Sequence, residues 1–264
     1  MDIATIFGII AGTVLIIMGI SGLTSDFKIF WDISSVFIVV GGSFASTMIS
    51  FSVKEVFSLI GSIIAVFKKE KIKMTDEVEE IVELASVARK SMQDLEKTLV
   101  DVQNPFLRDG LQMVVDGYNP QEIRDILETR IEYRTLRERG EANVLRTMGK
   151  YSPAFGMIGT LIGLVVMLYG MAQISSAGLD PMKVLGEGMG AAIITTFYGV
   201  ILANLIFNPM AVKFETRIQK QNILQMMLIE GILLLQARKH PLIIREKLNS
   251  YLRPRDWKNP EEIK

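Results

Sequence analysis

Four stretches of this chain run for more than twenty residues without a charged side chain. Residues 3–23 read IATIFGIIAGTVLIIMGISGL and residues 33–53 read ISSVFIVVGGSFASTMISFSV; residues 151–175 and 188–212 repeat the pattern. At ~1.5 Å of helix per residue, each is long enough for a hydrocarbon core of ~30 Å. The linker between the first two holds Asp26, Lys28, Trp31 and Asp32, and the turn between the last two holds Gly178, Asp180, Pro181 and Lys183. The pattern therefore predicts four transmembrane helices in two hairpins. Asp2, with no basic residue, precedes the first stretch, so that stretch is expected to stay as a membrane helix and not to be cleaved as a leader.

The polar segment 54–150 has helical punctuation. Thr75 is read as the cap of a helix with Asp76 and Glu77 in its first turn, where the helix dipole favours anions. Val78, Ile81, Val82, Leu84, Ala85, Ala88, Met92, Leu95 and Leu99 recur at mostly three- and four-residue steps, which predicts one helix over 76–100 with a single buried face. Asn104-Pro105 and Asn119-Pro120 are helix starts, the second with Glu122 completing a capping box, and Gly117 is a stop. A charged helix over 119–150 enters the third span through Ser152-Pro153, where the missing amide allows a start or a bend. Asn208-Pro209 marks another bend, and residues 210–238 continue as a helix ending near His240-Pro241. No strand alternation and no nucleotide loop is present. The expected fold is all-α: a first transmembrane hairpin (1–53), a helical cytoplasmic domain (54–150), a second transmembrane hairpin (151–212) and a cytoplasmic helix and tail (213–264).

Composition narrows the function classes. The 264 residues are 49% hydrophobic and 22% charged, with a mean hydropathy of +0.32 and a pI near 6.6. Twenty-nine basic and 29 acidic residues cancel, so no net field draws nucleic acid. With no cysteine and a single histidine, His240, thiolate sites, histidine metal clusters and most catalytic constellations lack their residues. An enzyme is not expected. All but two of the Lys and Arg residues lie in 54–150 and 213–264, including Lys68, Lys69, Lys71 and Lys73 after the second span and Lys213 and Arg217 after the fourth; Lys28 and Lys183 sit in the hairpin turns. The bias of positive charge puts both polar segments and both termini in the cytoplasm.

Within the spans, Gly8, Gly12, Gly19, Gly41, Gly42, Gly156, Gly159, Gly163, Gly190 and Gly199 allow close approach of helices in lipid, which favours a multi-helix assembly. No Asp, Glu, Lys, Arg or His interrupts a span, and Glu187 stands only at an entrance. Ion pathways usually need an ionisable group or a set of oxygens at mid-depth. If this chain moves ions, another chain must supply the carboxylate, and its own contribution is hydroxyls and carbonyls. Thr160, Thr195 and Thr196 are the polar groups deep enough to serve. Thr195 and Thr196 point about 100° apart, so one of them should be the functional hydroxyl. Thr196, Gly199 and Ala203 share a face that is read as accepting a partner helix. Hydroxyl oxygens suit sodium, which replaces its water with several oxygen ligands, but threonines also bond back to carbonyls one turn earlier, so both H+ and Na+ stay open.

Three segments carry a family resemblance: NPFLRDGLQMVVDGYNPQE (104–122), YSPAFGMIGTLIGLVVML (151–168) and GEGMGAAIITTFYGVILANLIFNP (186–209). Together, over nearly the full chain, they resemble the MotA stator subunits of bacterial flagellar motors, in the MotA/TolQ/ExbB proton channel superfamily. The resemblance implies a homopentameric ring around two copies of a MotB-like subunit, whose single span supplies an ion-carrying Asp, in the bacterial inner membrane. It implies no resident cofactor, only translocated H+ or Na+. It implies torque delivered to the rotor protein FliG through charges in ARKSMQDLE (88–96), hence Arg89, Lys90 and Glu96. It favours Thr196 over Thr195, and matches Pro153 and Pro209 to the family's bend prolines. A TolQ- or ExbB-like energiser of outer-membrane processes would lack the first hairpin. A transporter or receptor would show broken helices, intramembrane charges or repeats around a substrate site.

Overall fold

The computed structural model of the chain describes residues 3–58, 61, 73–173 and 180–257. Lys68, Lys69, Lys71 and Gly178 of the sequence reading lie outside the described residues. Every regular element among the described residues is helical, and all four apolar stretches form helices. The first is α1 (Ile3–Ser21). The second is a composite of α2 (Ile33–Val36), a π-helical segment (Phe37–Gly41) and α3 (Gly42–Ser50). Asp32 starts it, its Oδ2 accepting the Ser35 amide at 2.8 Å. Among the described residues, three helical stretches are long and apolar enough to cross a membrane: Phe27–Ser50, Pro120–Ala172 and Pro181–Gln236.

The helices between the apolar stretches are α4 (Met74–Lys90), α5 (Met92–Thr98) and α6 (Pro105–Val115). The structure differs from the sequence pattern at both ends of this helical stretch. Thr75 lies inside α4, whose cap residue is Lys73 without a side-chain hydrogen bond. The single helix expected over 76–100 is broken at Ser91, which is extended (φ −155°, ψ 131°) and caps α5 by accepting the Asp94 amide on its Oγ at 3.3 Å. A serine hydroxyl competes with the helix for backbone donors, and periodicity of the apolar positions cannot register that competition. The Asn104 cap is as read, its Oδ1 accepting the Phe106 amide at 3.0 Å. So is the capping box: the Asn119 amide donates to Glu122 at 3.0 Å and the Glu122 amide to Asn119 at 2.9 Å. Gly117 adopts φ +83°, the left-handed stop that a side chain would strain.

Helix α7 (Pro120–Ala172) runs unbroken for 53 residues through Pro153, so no new helix starts there. After α8 (Pro181–Ile201), a second π-helical segment (Leu202–Phe207) leads into α9 (Asn208–Gln236), with Pro209 in its first turn. Helix α9 stops two residues before the expected end; Arg238 takes φ +51° just beyond it. His240 caps the short α10 (Pro241–Asn249), its Nδ1 accepting the Leu242 amide at 3.3 Å.

The chain forms two compact units. One holds α1 to α3 with Arg139–Glu215; the other holds α4 to α6 and the chain up to Glu138, with Thr216 onward. The second unit has a core of its own, with Ile81, Leu95, Leu107, Leu111, Ile123, Leu127, Leu228 and Ile232 all fully buried. Glu79 and Arg245 pair within it at 2.7 Å. The first unit has a smaller cluster of Ala142, Val144, Leu145, Met210, Ala211 and Phe214.

Candidate ion-handling site

The first unit is organised by the close approach of α7 and α8. A methyl group placed on Gly159 would lie 2.5 Å from the Thr195 side chain, one on Gly163 would lie 2.9 Å from the Ala192 methyl and the Gly188 carbonyl, and one on Gly199 would lie 2.5 Å from the Ser152 carbonyl. With hydrogens in their place, the backbones meet directly. Small residues replace the hydrophobic driving force that lipid does not provide between helices. The face formed by Thr196, Gly199 and Ala203 is thus occupied at Gly199 by the chain's own third span, at Ser152 and Pro153. This corrects its reading as a seat for another chain; which face meets which helix depends on the turn between spans, which the sequence pattern does not encode.

This packing brings two of the three threonines together. The Thr160 and Thr196 hydroxyl oxygens are 2.6 Å apart. Thr160 Oγ1 also lies 3.1 Å from the Gly156 carbonyl and 3.0 Å from the Ala192 carbonyl, and Thr196 Oγ1 lies 3.3 Å from the Gly156 carbonyl. Each hydroxyl has one proton and two lone pairs, so Thr160 can donate to only one of three acceptors at a time. Rotation about its C–O bond moves that proton among them. The cluster can therefore turn a lone pair towards a cation or an O–H towards a carboxylate. Both threonines are half-buried, within reach of a group from outside the chain. Thr195 differs: it is 2% exposed and its hydroxyl is spent on the Ala192 carbonyl at 2.8 Å and the Ala191 carbonyl at 3.2 Å. It is a packing residue against Gly159.

Several participants have no sequence signal. Tyr198 donates its phenolic proton to the Phe30 carbonyl and accepts the Asp32 amide at 3.4 Å, tying the first hairpin's turn to the fourth span. Phe155 fills the gap left by Gly42. A cavity of about 420 Å³ is lined by Gly159, Gly163, Gly188 and Thr195 with the carboxylates Asp32 and Glu187. The places of Glu187 at an entrance, of Asp32 in the linker and of Gly159 and Gly163 within a span were legible from the sequence, but not that they meet around one cavity.

Pro153 and Pro209 occupy different settings. Pro153 lies at the tight crossing with Gly199, whereas Pro209 is exposed in the first turn of α9. Beside Pro209, the Asn208 carboxamide rests on Gly149. In the second unit, Arg89 and Lys90 fall in the last turn of α4 and Glu96 falls on α5. All three side chains are exposed.

The arrangement defines a multi-span helical membrane protein with a hydroxyl and carbonyl cluster between two closely packed spans. Residues 99–227 match the MotA/TolQ/ExbB proton channel family. The chain is 35% identical to Motility protein A of Borreliella burgdorferi, over 97% of this chain and 96% of that protein. It is 33% identical to Chemotaxis protein PomA of Vibrio alginolyticus, over 96% of each. Its fold superposes on the flagellar MotAB stator complex from Bacillus subtilis with a TM-score of 0.85 and 27% identity, covering 95% of this chain and 96% of that one. The chain belongs to the MotA/TolQ/ExbB proton channel family.

Proposed function

We propose that this chain is the ring-forming subunit of a flagellar stator, coupling passage of H+ or Na+ across the bacterial inner membrane to rotation. The observation that carries this reading is the Thr160–Thr196 hydroxyl pair, set between spans that bring no carboxylate of their own. A carboxylate must come from outside, and a MotB-like subunit with a single span and an Asp is the partner that supplies it. Four spans, both termini in the cytoplasm and a homopentamer complete the architecture. The ion loaded on the partner's Asp passes the threonine oxygens, which stabilise it in place of water. No resident cofactor is needed, and the protein is a motor component, not an enzyme. Torque leaves through the second unit, where exposed Arg89, Lys90 and Glu96 meet the rotor protein FliG.

Coexpression with a MotB-like subunit in a stator-less bacterium tests this. The expected result is copurification as an oligomer and swimming that depends on an ion gradient. A sodium series at fixed proton-motive force assigns the ion. A monomer that ignores the MotB-like chain in mild detergent and restores no swimming refutes the proposal.

A further inference from the structure

The fourth span carries two asparagines. Asn208 rests on Gly149, but Asn204, third in the π-helical segment, is exposed. Its Nδ2 donates to the Val200 carbonyl at 3.0 Å, and its carboxamide oxygen accepts no hydrogen bond among the described residues. Met189, Ile193 and Val200, exposed by 44%, 63% and 45%, precede it at four- and seven-residue steps along the same stripe. Against lipid tails an amide oxygen without a hydrogen-bond donor is strongly disfavoured, so this end of the stripe faces water or a polar group.

The π-helical segment also sets where that oxygen points. Eight α-helical steps from Thr196 would carry the side chain about 80° past the Thr196 direction. The i→i+5 pattern turns each residue through a smaller angle and draws Asn204 back towards the Thr196 side. The two positions are then about 12 Å apart along the axis, Asn204 nearer the charged helix α9.

We infer that Asn204 lines a water-filled exit through which a cation released beside Thr160 and Thr196 reaches the cytoplasm, its carboxamide oxygen replacing part of the cation's water on the way. The inference rests on the ion-conducting reading above and adds a residue to it. The chain has no cysteine, so Asn204→Cys introduces its only thiol, and Ile193→Cys serves as the comparator about three turns earlier on the stripe. Inverted membrane vesicles containing the complex with its single-span partner are treated with a charged, membrane-impermeant thiol reagent. The expected result is that Asn204→Cys reacts at least about tenfold faster than Ile193→Cys and that its modification blocks ion flux. Asn204→Leu should cut flux about tenfold in an assembled complex while Asn204→Ser retains most of it. An unreactive thiol at 204, which would place the residue against another helix, overturns the inference, as does full flux through Asn204→Leu. A wild-type complex that assembles yet passes no ion refutes the stator reading itself, whatever the reactivity of position 204.

Discussion

Replacing Gly199 with alanine tests the packing that holds the two hydroxyls together. The added methyl would meet the Ser152 carbonyl oxygen at 2.5 Å and Pro153 Cα at 3.1 Å. Ordinary contact begins near 3.4 Å, so the first distance is short by about 0.9 Å. Both obstacles are backbone atoms, so no side chain can swing away and the helices must separate locally. Overpacking of this kind costs about 1–3 kcal/mol, and rigid backbone neighbours put Gly199 at the upper end. Alanine's better helix propensity returns about 0.5–1 kcal/mol, leaving a net loss of about 2 kcal/mol. A separation of even half that shortfall would stretch the 2.6 Å Thr160–Thr196 contact beyond good hydrogen-bond geometry. Gly140, also helical but with nothing within 4 Å of its missing methyl, is the control and should gain about 0.5–1 kcal/mol as alanine. The assay is thermal stability of the purified complex with ion flux measured in parallel. If Gly199→Ala matches Gly140→Ala in both stability and flux, the close crossing of the third and fourth spans does not hold the threonine pair in place.

Thr196→Val should abolish ion-driven torque with the oligomer intact, since one membrane hydrogen bond is worth only ~1 kcal/mol; Thr195→Val should be mild, and swim-plate motility with expression confirmed decides between them. Burial pushes the Glu77 carboxyl from its ordinary 4.5 up to about 6, with Glu80 and Asp76 adding to the rise and the Asn104 amide, 3.0 Å away, opposing it. A raised carboxylate pKa means that the fold favours the protonated form, so the stability of the second unit is highest below pH 4.5, falls between pH 4.5 and 6, and is level above. Glu77→Gln keeps an acceptor for Asn104 and should stabilise that unit by up to about 2 kcal/mol at pH 7.5; slower amide exchange in α4 and α6 is the readout, and faster exchange would contradict it. Arg89→Glu should weaken engagement of the rotor with flux and assembly unchanged, measured as motility against flux in the same strain; a lost oligomer would assign Arg89 a structural role.

The apolar helices, the caps at Asn104 and Asn119 and the absence of carboxylates from the apolar stretches were legible in the sequence because they are local. A charge-free run declares itself by composition, Asn119 and Glu122 form a capping box across three residues, and Gly117 announces the left-handed turn it occupies. The threonines were legible as the deepest polar side chains, and a 100° step on a helix required that they differ. Contact between elements was not legible. That Gly199 serves the third span, that Thr160 meets Thr196, and that Tyr198 reaches the Phe30 carbonyl depend on how α7 and α8 cross and rotate. Ser91 divides a helix that apolar periodicity reads as continuous, because one side-chain hydrogen bond outweighs a weak propensity. The two π-helical segments leave no compositional mark, yet they rotate everything that follows them along the second and fourth spans. Sequence alone determined which chemistry the apolar stretches carry and which they lack; tertiary structure decided which groups share a site, because distance and rotation between helices belong to the packing of backbones and not to any one segment.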